Sequence, residues 1–250
     1  MQGARNVNAA ASTLCAPAAP LTDAAKELFM EIVDLKQSVL EDNDRDAEEL
    51  RRSLKGRGIC LLNLMSSPGS GKTSTLLSLG KSFKGRISWG VMEADIDSDV
   101  DAKTIAETGA KSIQLHTGGM CHLDADMTRQ GVRELTESYG EHDIIILENV
   151  GNLVCPAEFD TGSAMNMMIL SVPEGDDKPL KYPLMFQVCD LAVINKIDVL
   201  PYFDFDLDKC KAGIAGRNPV CTVLPISAKT GEGIEELVKY IQDRVEKWRN

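Results

Sequence analysis

An apolar run at residues 59–65, ICLLNLM, leads into SSPGSGKTS at 66–74 and continues as the amphipathic stretch TSTLLSLGKSF. No other feature narrows the possible folds as much. A strand that turns through glycines directly into a helix reaches its next parallel partner by a crossover, the βαβ unit of layered α/β folds. The alternation then recurs. Further candidate strands are RISWGVME, SIQLH, DIIILEN, LAVINK and CTVLPIS. Helical stretches DAKTIAETG and LDADMTRQGVRELTESYG lie between them, and GIEELVKYIQDRVEKWRN closes the chain. Strands that are apolar throughout and separated by helices predict a mostly parallel sheet flanked by helices on both faces. In such sheets ligands gather at the carboxyl ends of the strands.

The 250 residues suffice for one large α/β domain with a small appendage, and a 43% hydrophobic fraction is ample for its core. Residues 1–20, rich in Ala, Pro and Asn, are expected to form a flexible tail. Residues 21–57 read as an N-terminal helical extension: Leu28, Ile32, Val33, Leu35 and Leu40 fall near a helical period, Thr22 or Asp23 can cap its start, and Gly56 and Gly58 end it. Residues 58–250 form the main domain. A net charge of −11 argues against a nucleic-acid or anionic-membrane binder, which needs a basic surface. No apolar run reaches the length of a membrane span, and the first residues lack the Leu/Ile/Val-rich core of a secretory signal. Seven cysteines, odd in number and widely spaced, do not form a disulfide framework in a chain this long, so a reducing cytoplasm is expected.

SSPGSGKTS matches the phosphate-binding loop G-x-x-x-x-G-K-[ST], with Ser66 at the first glycine position. Gly69, Ser70 and Gly71 let the backbone curl so that its N–H groups face a phosphate at the next helix's N-terminus. Lys72 then reaches the β- and γ-phosphates, Thr73 offers its hydroxyl to Mg²⁺, and Ser74 follows in the same turn. A second motif, NKID, supplies Asn195, Lys196 and Asp198 directly after the strand LAVI. Asp198 can accept from both N1–H and the 2-amino group of guanine, a donor pair that adenine lacks. Asn195 would hold base and loop, and the Lys196 stem would pack along the ring. The turn PISAKTGEG adds Ser227, Ala228 and Lys229, whose backbone can contact guanine O6. In this order the motifs make 58–250 a GTP-binding domain with GTP and GDP as its nucleotides. A small-molecule P-loop kinase is disfavoured by Asp198 and the Ser227–Lys229 turn.

The acids are less sharply defined. RISWGVME runs into Glu93, Asp95, Asp97 and Asp99, and DIIILEN ends at Glu148 and continues to Gly151. ENVG has the spacing of D-x-x-G, in which a glycine N–H senses the γ-phosphate. Asp95 is assigned to Mg²⁺ or to positioning water, and Glu148 to the outer coordination of Mg²⁺. Asp97 and Asp99 can equally be solvated loop acids. No arginine finger is identifiable, so slow intrinsic hydrolysis is expected.

Only three histidines occur, and His122 directly follows Cys121 in TGGMCHLDA; Cys155 lies four residues beyond Gly151. Thiolates and imidazole suit Zn²⁺ and Ni²⁺. A Cys-His dipeptide is more often packing than ligation, but Cys155 beside the nucleotide sensor favours ligation. Three ligands fall one short of a closed tetrahedron, which suits a protein that hands its metal on. Cys60, Cys189 and Cys221 read as core residues, Cys210 lies in a polar helical stretch, Cys15 in the tail, and His116 and His142 read as structural.

Together, SSPGSGKT, E-x-D, TGGMCHLDA, ENVGNLVCPA, NKID and SAK resemble the hydrogenase nickel-incorporation GTPases of the HypB type, over roughly residues 22–250. The resemblance implies a SIMIBI-class P-loop GTPase that dimerises with GTP, works with hydrogenase maturation partners and delivers nickel to the large subunit of NiFe-hydrogenase. It also implies a nickel or zinc site at Cys121, His122 and Cys155 near the dimer interface. With a lone Cys15 and no histidine run, the tail departs from members that store nickel or bind it tightly there. Two alternatives stay open: a urease-type accessory GTPase, whose metal motif is Cys-Pro-His, and a regulatory GTPase with structural zinc.

Overall fold

The computed structural model describes residues 35–94, 105 and 107–250, with side chains from Val39 onward. The tail with Cys15, the first part of the helical extension, most of DAKTIAETG, and Asp95, Asp97 and Asp99 lie outside the described residues.

Helix α1 (Leu35–Arg57) turns one face inward: Asn43, Ala47, Leu50 and Leu54 are buried at i, i+4, i+7 and i+11. It stops at Gly58 (φ 69°), whose N–H reaches the Lys55 carbonyl while Ile59 N–H reaches that of Leu54, so that β1 (Cys60–Ser66) starts two residues later. Then follow α2 (Lys72–Phe83), β2 (Trp89–Glu93), β3 (Lys111–Gln114), α3 (Ala125–Tyr139), β4 (Ile144–Glu148), a single turn α4 (Cys155–Glu158) and β5 (Met165–Ser171). Short helices α5 (Lys178–Lys181) and α6 (Pro183–Val188) precede β6 (Leu191–Asn195). The chain ends with α7 (Leu207–Ala215), β7 (Thr222–Pro225) and α8 (Ile234–Arg249).

The seven strands lie in the order β3-β2-β4-β1-β5-β6-β7, and every neighbouring pair is parallel. β1 thus sits between β4 and β5, and the loops after all three open on the same edge. β5, MNMMILS, was not among the expected strands. Its only β-branched residue is Ile169, so the run lacks the composition that marks a strand.

Pleating sends alternate side chains of β1 to opposite faces. Cys60, Leu62 and Leu64 join Leu76, Phe83, Leu237 and Ile241 under α2 and α8. On the other face Leu61 packs with Leu50, Leu54 and Leu135, and Met65 with Phe186 and Ile214. Between these two apolar groups sits Asn63, joined to its neighbours in a row of carboxamides. Asn149 donates to Asn63 Oδ1 (3.1 Å), and Asn63 donates to Asn166 Oδ1 (3.1 Å). Asn166 in turn donates to the Val188 carbonyl (3.1 Å). Exposure is 2% for Asn63 and 0% for Asn149, so each of these hydrogen bonds offsets a desolvation that water cannot.

Replacing Asn63 with Leu is expected to lower the urea midpoint at unchanged m, a loss of about 1–3 kcal/mol for the Asn149 amide left without its acceptor. An unchanged midpoint would show that the carboxamide row contributes nothing net.

Candidate functional site

The loop between β1 and α2 wraps over the sheet edge. Gly71 at φ 99° precedes Lys72, and a Cβ there would stand 2.4 Å from Asn195 Nδ2. Only glycine fits both that conformation and that approach. Asn195, 1% exposed, is held on both sides of its carboxamide: Nδ2 donates to the Ser70 carbonyl (3.0 Å), and Oδ1 accepts from Lys196 N–H (2.7 Å) and Ala228 N–H (3.1 Å). Lys196 Nζ donates to the Gly69 carbonyl (2.6 Å). Asn195 therefore laces three loops together, which is the loop-holding half of the role expected of it.

Lys196 has a φ of 64°, the one non-glycine at positive φ among the described residues, as strained positions at binding sites often show. Its conformation starts the turn that presents Asp198, whose carboxylate accepts from Ser227 Oγ (2.7 Å); Ser227 Oγ also accepts from Thr230 N–H (3.1 Å). The structure brings Gly69, Ser70, Gly71, Lys72, Asn195, Lys196, Asp198, Ser227 and Ala228 into one continuous set of contacts. Thr73 and Ser74 open helix α2 beside Lys72, and Lys229 is exposed on the outer turn. Ser70 Oγ is fully buried without a hydrogen-bond partner among the described residues.

Beyond the loop, Glu148 at the end of β4 lies 3.9 Å from Lys72 Nζ, with both side chains 8% exposed. Gly151 is half-buried three residues on. Sequence reasoning missed Glu174. Its carboxylate accepts from Ser171 N–H (2.8 Å), Ser171 Oγ (2.7 Å) and Ser67 Oγ, fixing the phosphate loop's outer wall to the end of β5. The S-x-x-E capping pattern at 171–174 carried the signal.

The segment after Glu148 leads to the cysteines. Asn152 Nδ2 donates to the Cys121 carbonyl (2.6 Å), while its Oδ1 accepts from Val154 N–H (3.0 Å) and Cys155 N–H (3.0 Å). One side chain thus clasps both cysteine-bearing loops, a role the sequence reading also missed. The Cys155 thiol lies above its ordinary pKa, first through its hydrogen bond with Cys121, then through burial. Cys121 Sγ stands 3.8 Å from His122 Nδ1. The His122 ring stacks on Phe159 with centroids 3.8 Å apart and 17° between planes, and burial lowers its pKa. Among the described residues no three His, Cys, Asp or Glu side chains are grouped to hold a metal ion. The two thiols meet, and the imidazole beside Cys121 stacks on Phe159.

The remaining described thiols are unsuited to ligation. Burial pushes Cys60 and Cys210 up to about 12 and Cys221 to about 11, and raises Cys189 well above the ordinary value. Cys210, expected on a polar stretch, is fully buried because it shares α7's inner face with Ile214 one turn on.

Exchange of Gly71 for Ala should weaken GDP binding roughly 30- to 1,000-fold, from about 2–4 kcal/mol of left-handed strain and displaced Asn195 hydrogen bonds. Titration with a fluorescent GDP analogue checks it; an affinity within threefold of the parent would contradict the loop geometry.

Comparison with known proteins places the geometry in context. Residues 60–225 match the family described as CobW/HypB/UreG, nucleotide-binding domain. The hydrogenase maturation factor HypB of Rhizobium leguminosarum bv. viciae is 46% identical over 211 residues, spanning 84% of this chain and 70% of that protein. The hydrogenase/urease maturation factor HypB of Helicobacter pylori is 37% identical over 217 residues, 85% of this chain and 88% of the relative. Among solved structures, HypB from Helicobacter pylori in complex with nickel superposes with a TM-score of 0.77 at 36% identity, covering 82% of this chain and 96% of that one. HypB from Archaeoglobus fulgidus gives 0.76 at 34% identity, covering 82% and 100%. A family match over more than half the chain, with relatives this similar over most of their length, leads to one conclusion: the chain belongs to the CobW/HypB/UreG nucleotide-binding family and, within it, to the HypB hydrogenase maturation factors.

Proposed function

We propose that this protein is a GTP-hydrolysing nickel chaperone for hydrogenase maturation, in which the nucleotide sets the affinity of a site built from Cys121, His122 and Cys155. The observation that carries the reading is the Asn152 clasp, which ties both cysteine loops to the segment starting at Glu148 beside Lys72. Nickel in a relative's crystal and the relatives' name of hydrogenase maturation factor support the cargo and the destination, the large subunit of a NiFe-hydrogenase.

GTP is bound by this chain's own groups. The loop at 67–71 and the N-terminus of α2 offer main-chain N–H groups to the β-phosphate, Lys72 offers charge to the β- and γ-phosphates, and the buried Ser70 hydroxyl has capacity to spare. Asp198, oriented by Ser227, accepts from guanine N1–H and the 2-amino group. Since Ala228 N–H is engaged by Asn195, contact with O6 falls to the Lys229 amide. Thr73 and Glu148 are hard oxygen donors at the same edge and fit a Mg²⁺ ion, with Asp95 as a further ligand, directly or through water. That ion would neutralise charge on the phosphates. Hydrolysis is slow on this reading, because no arginine finger is identifiable in the sequence.

The γ-phosphate draws on Gly151 N–H and so shifts residues 148–155. Because Asn152 joins that segment to the Cys121 loop, the shift alters how the two thiols and His122 face an ion. Met120 and Val154, 40% and 54% exposed, flank the cysteines and offer an apolar face to a second copy, which would supply the donors one chain lacks. The proposal includes GTP-dependent homodimerisation, which the exposure of Met120 and Val154 supports. The six described cysteines are free thiols, which suits a cytoplasmic setting, and no helix among the described residues is long and apolar enough to cross a membrane.

Two outcomes are expected. Inosine diphosphate, lacking the 2-amino donor, should bind about 10- to 100-fold more weakly than GDP, the loss of one hydrogen bond to a carboxylate; equal affinities would remove Asp198 from base recognition. Nickel titration with GDP and with a non-hydrolysable GTP analogue should give different affinities, and Cys155→Ala should erase the difference while GDP binding persists. Identical nickel affinities in both states would contradict the coupling.

A further inference from the structure

Helix α1 reaches both segments that carry the thiols. Asn43, 8% exposed on its inner face, accepts from Ala125 N–H through Oδ1 (2.9 Å) and donates from Nδ2 to the Asp160 carbonyl (3.0 Å). Ala125 follows Cys121 by four residues, and Asp160 follows Cys155 by five. The orientation of the carboxamide is dictated by its partners, since a main-chain N–H only donates and a carbonyl only accepts. Ala125 N–H belongs to the first turn of α3, where the helix cannot satisfy its own donors. Asp124 caps that turn through Met127 N–H (2.8 Å), leaving the Ala125 amide to Asn43.

The Asp160 end is anchored to the same helix. Both Asp160 carboxylate oxygens accept from Arg51 Nη2 at 2.6 Å, and Arg51 Nε donates to the Ser163 carbonyl (3.0 Å). Gly162, at φ 74°, comes so near that a Cβ would stand 2.9 Å from the Ala47 carbonyl oxygen. Segment 160–163 therefore rides on α1, while α3 is held to it through Asn43 and through Arg129, which pairs with Asp46 at 3.3 Å.

We infer that Asn43 is a positioning residue for the metal site: its carboxamide fixes the spacing between the Cys121–His122 loop and the Cys155 segment from behind, as Asn152 does from the front. The inference rests on the reading of Cys121, His122 and Cys155 as ligands. Its consequence is that helix α1 belongs to the metal-binding machinery. A shift of either segment must carry the other with it or break one of the two Asn43 hydrogen bonds.

The test uses the full chain loaded with GDP and Ni²⁺ alone as probe, titrated in competition with a chromophoric chelator. Asn43→Ala should weaken nickel binding roughly tenfold, at the low end of what groups that orient metal ligands contribute, with GDP affinity unchanged. Asn43→Asp keeps the acceptor for Ala125 and loses the donor to Asp160, so its nickel affinity should fall between Asn43→Ala and the parent. Leu50→Ala, which loosens the same helix face through apolar packing, should lower the melting temperature and leave nickel affinity within twofold. The inference is overturned if Asn43→Ala binds nickel like the parent while Cys155→Ala does not, a result that spares the ligand assignment. Loss of nickel affinity in Asn43→Ala and Leu50→Ala alike, in step with melting temperature, also overturns it. Should Cys155→Ala itself bind nickel like the parent, the ligand reading and this inference fall together.

Discussion

The register of one strand pair governs the rest of the site. β1 runs parallel to β4 with Leu64 opposite Glu148, so the chain leaves β4 next to the place where β1 opens into the phosphate loop. From there only seven residues separate Glu148 from Cys155, a reach of at most about 25 Å even if fully extended. A slip of one residue would part Asn149 from Asn63, whose buried hydrogen bond crosses this strand pair, so polar pairing specifies the register where apolar core on both faces would not. The proximity of carboxylate and lysine thus follows from the pairing of β1 with β4, and the Asn152 clasp then ties the thiol-bearing segment to the Cys121 loop.

Asparagine carries most of the remaining organisation. Asn195 laces the phosphate loop to both base-recognition turns, Asn152 joins the cysteine loops, and Asn43 spans their far ends. Asn63, Asn149 and Asn166 cross the sheet below. The chemical reason is shared. Each site must satisfy a donor and an acceptor on different segments at short range, and a carboxamide does both with one rigid group. Such networks specify geometry more than they stabilise, because a broken partner leaves a buried polar atom unsatisfied.

The parallel sheet, the phosphate loop and the base motif were legible in the sequence because each has a local signature: apolar runs, glycines at fixed offsets, and N-K-x-D after a strand. Cys121 and Cys155 were also legible as neighbours, since both follow strands whose carboxyl ends share an edge. What escaped was long-range or compositionally mute. β5 is written in methionine, a good helix former without the β-branching that marks a strand. Asn43, Asn152 and Glu174 act through partners that only the tertiary fold brings near. His122 could be placed beside Cys121, yet its stacking on Phe159, 37 residues away, has no sequence signal.

Coupling between two sites is reciprocal by thermodynamic necessity. The direct measurement is therefore the affinity of a non-hydrolysable GTP analogue for the protein saturated with nickel and for the same protein kept in chelator. The account predicts two different values, their ratio equal to the factor by which the nucleotide changes nickel affinity. Equal nucleotide affinities with and without nickel would show that the thiols and the γ-phosphate, though neighbours, do not communicate.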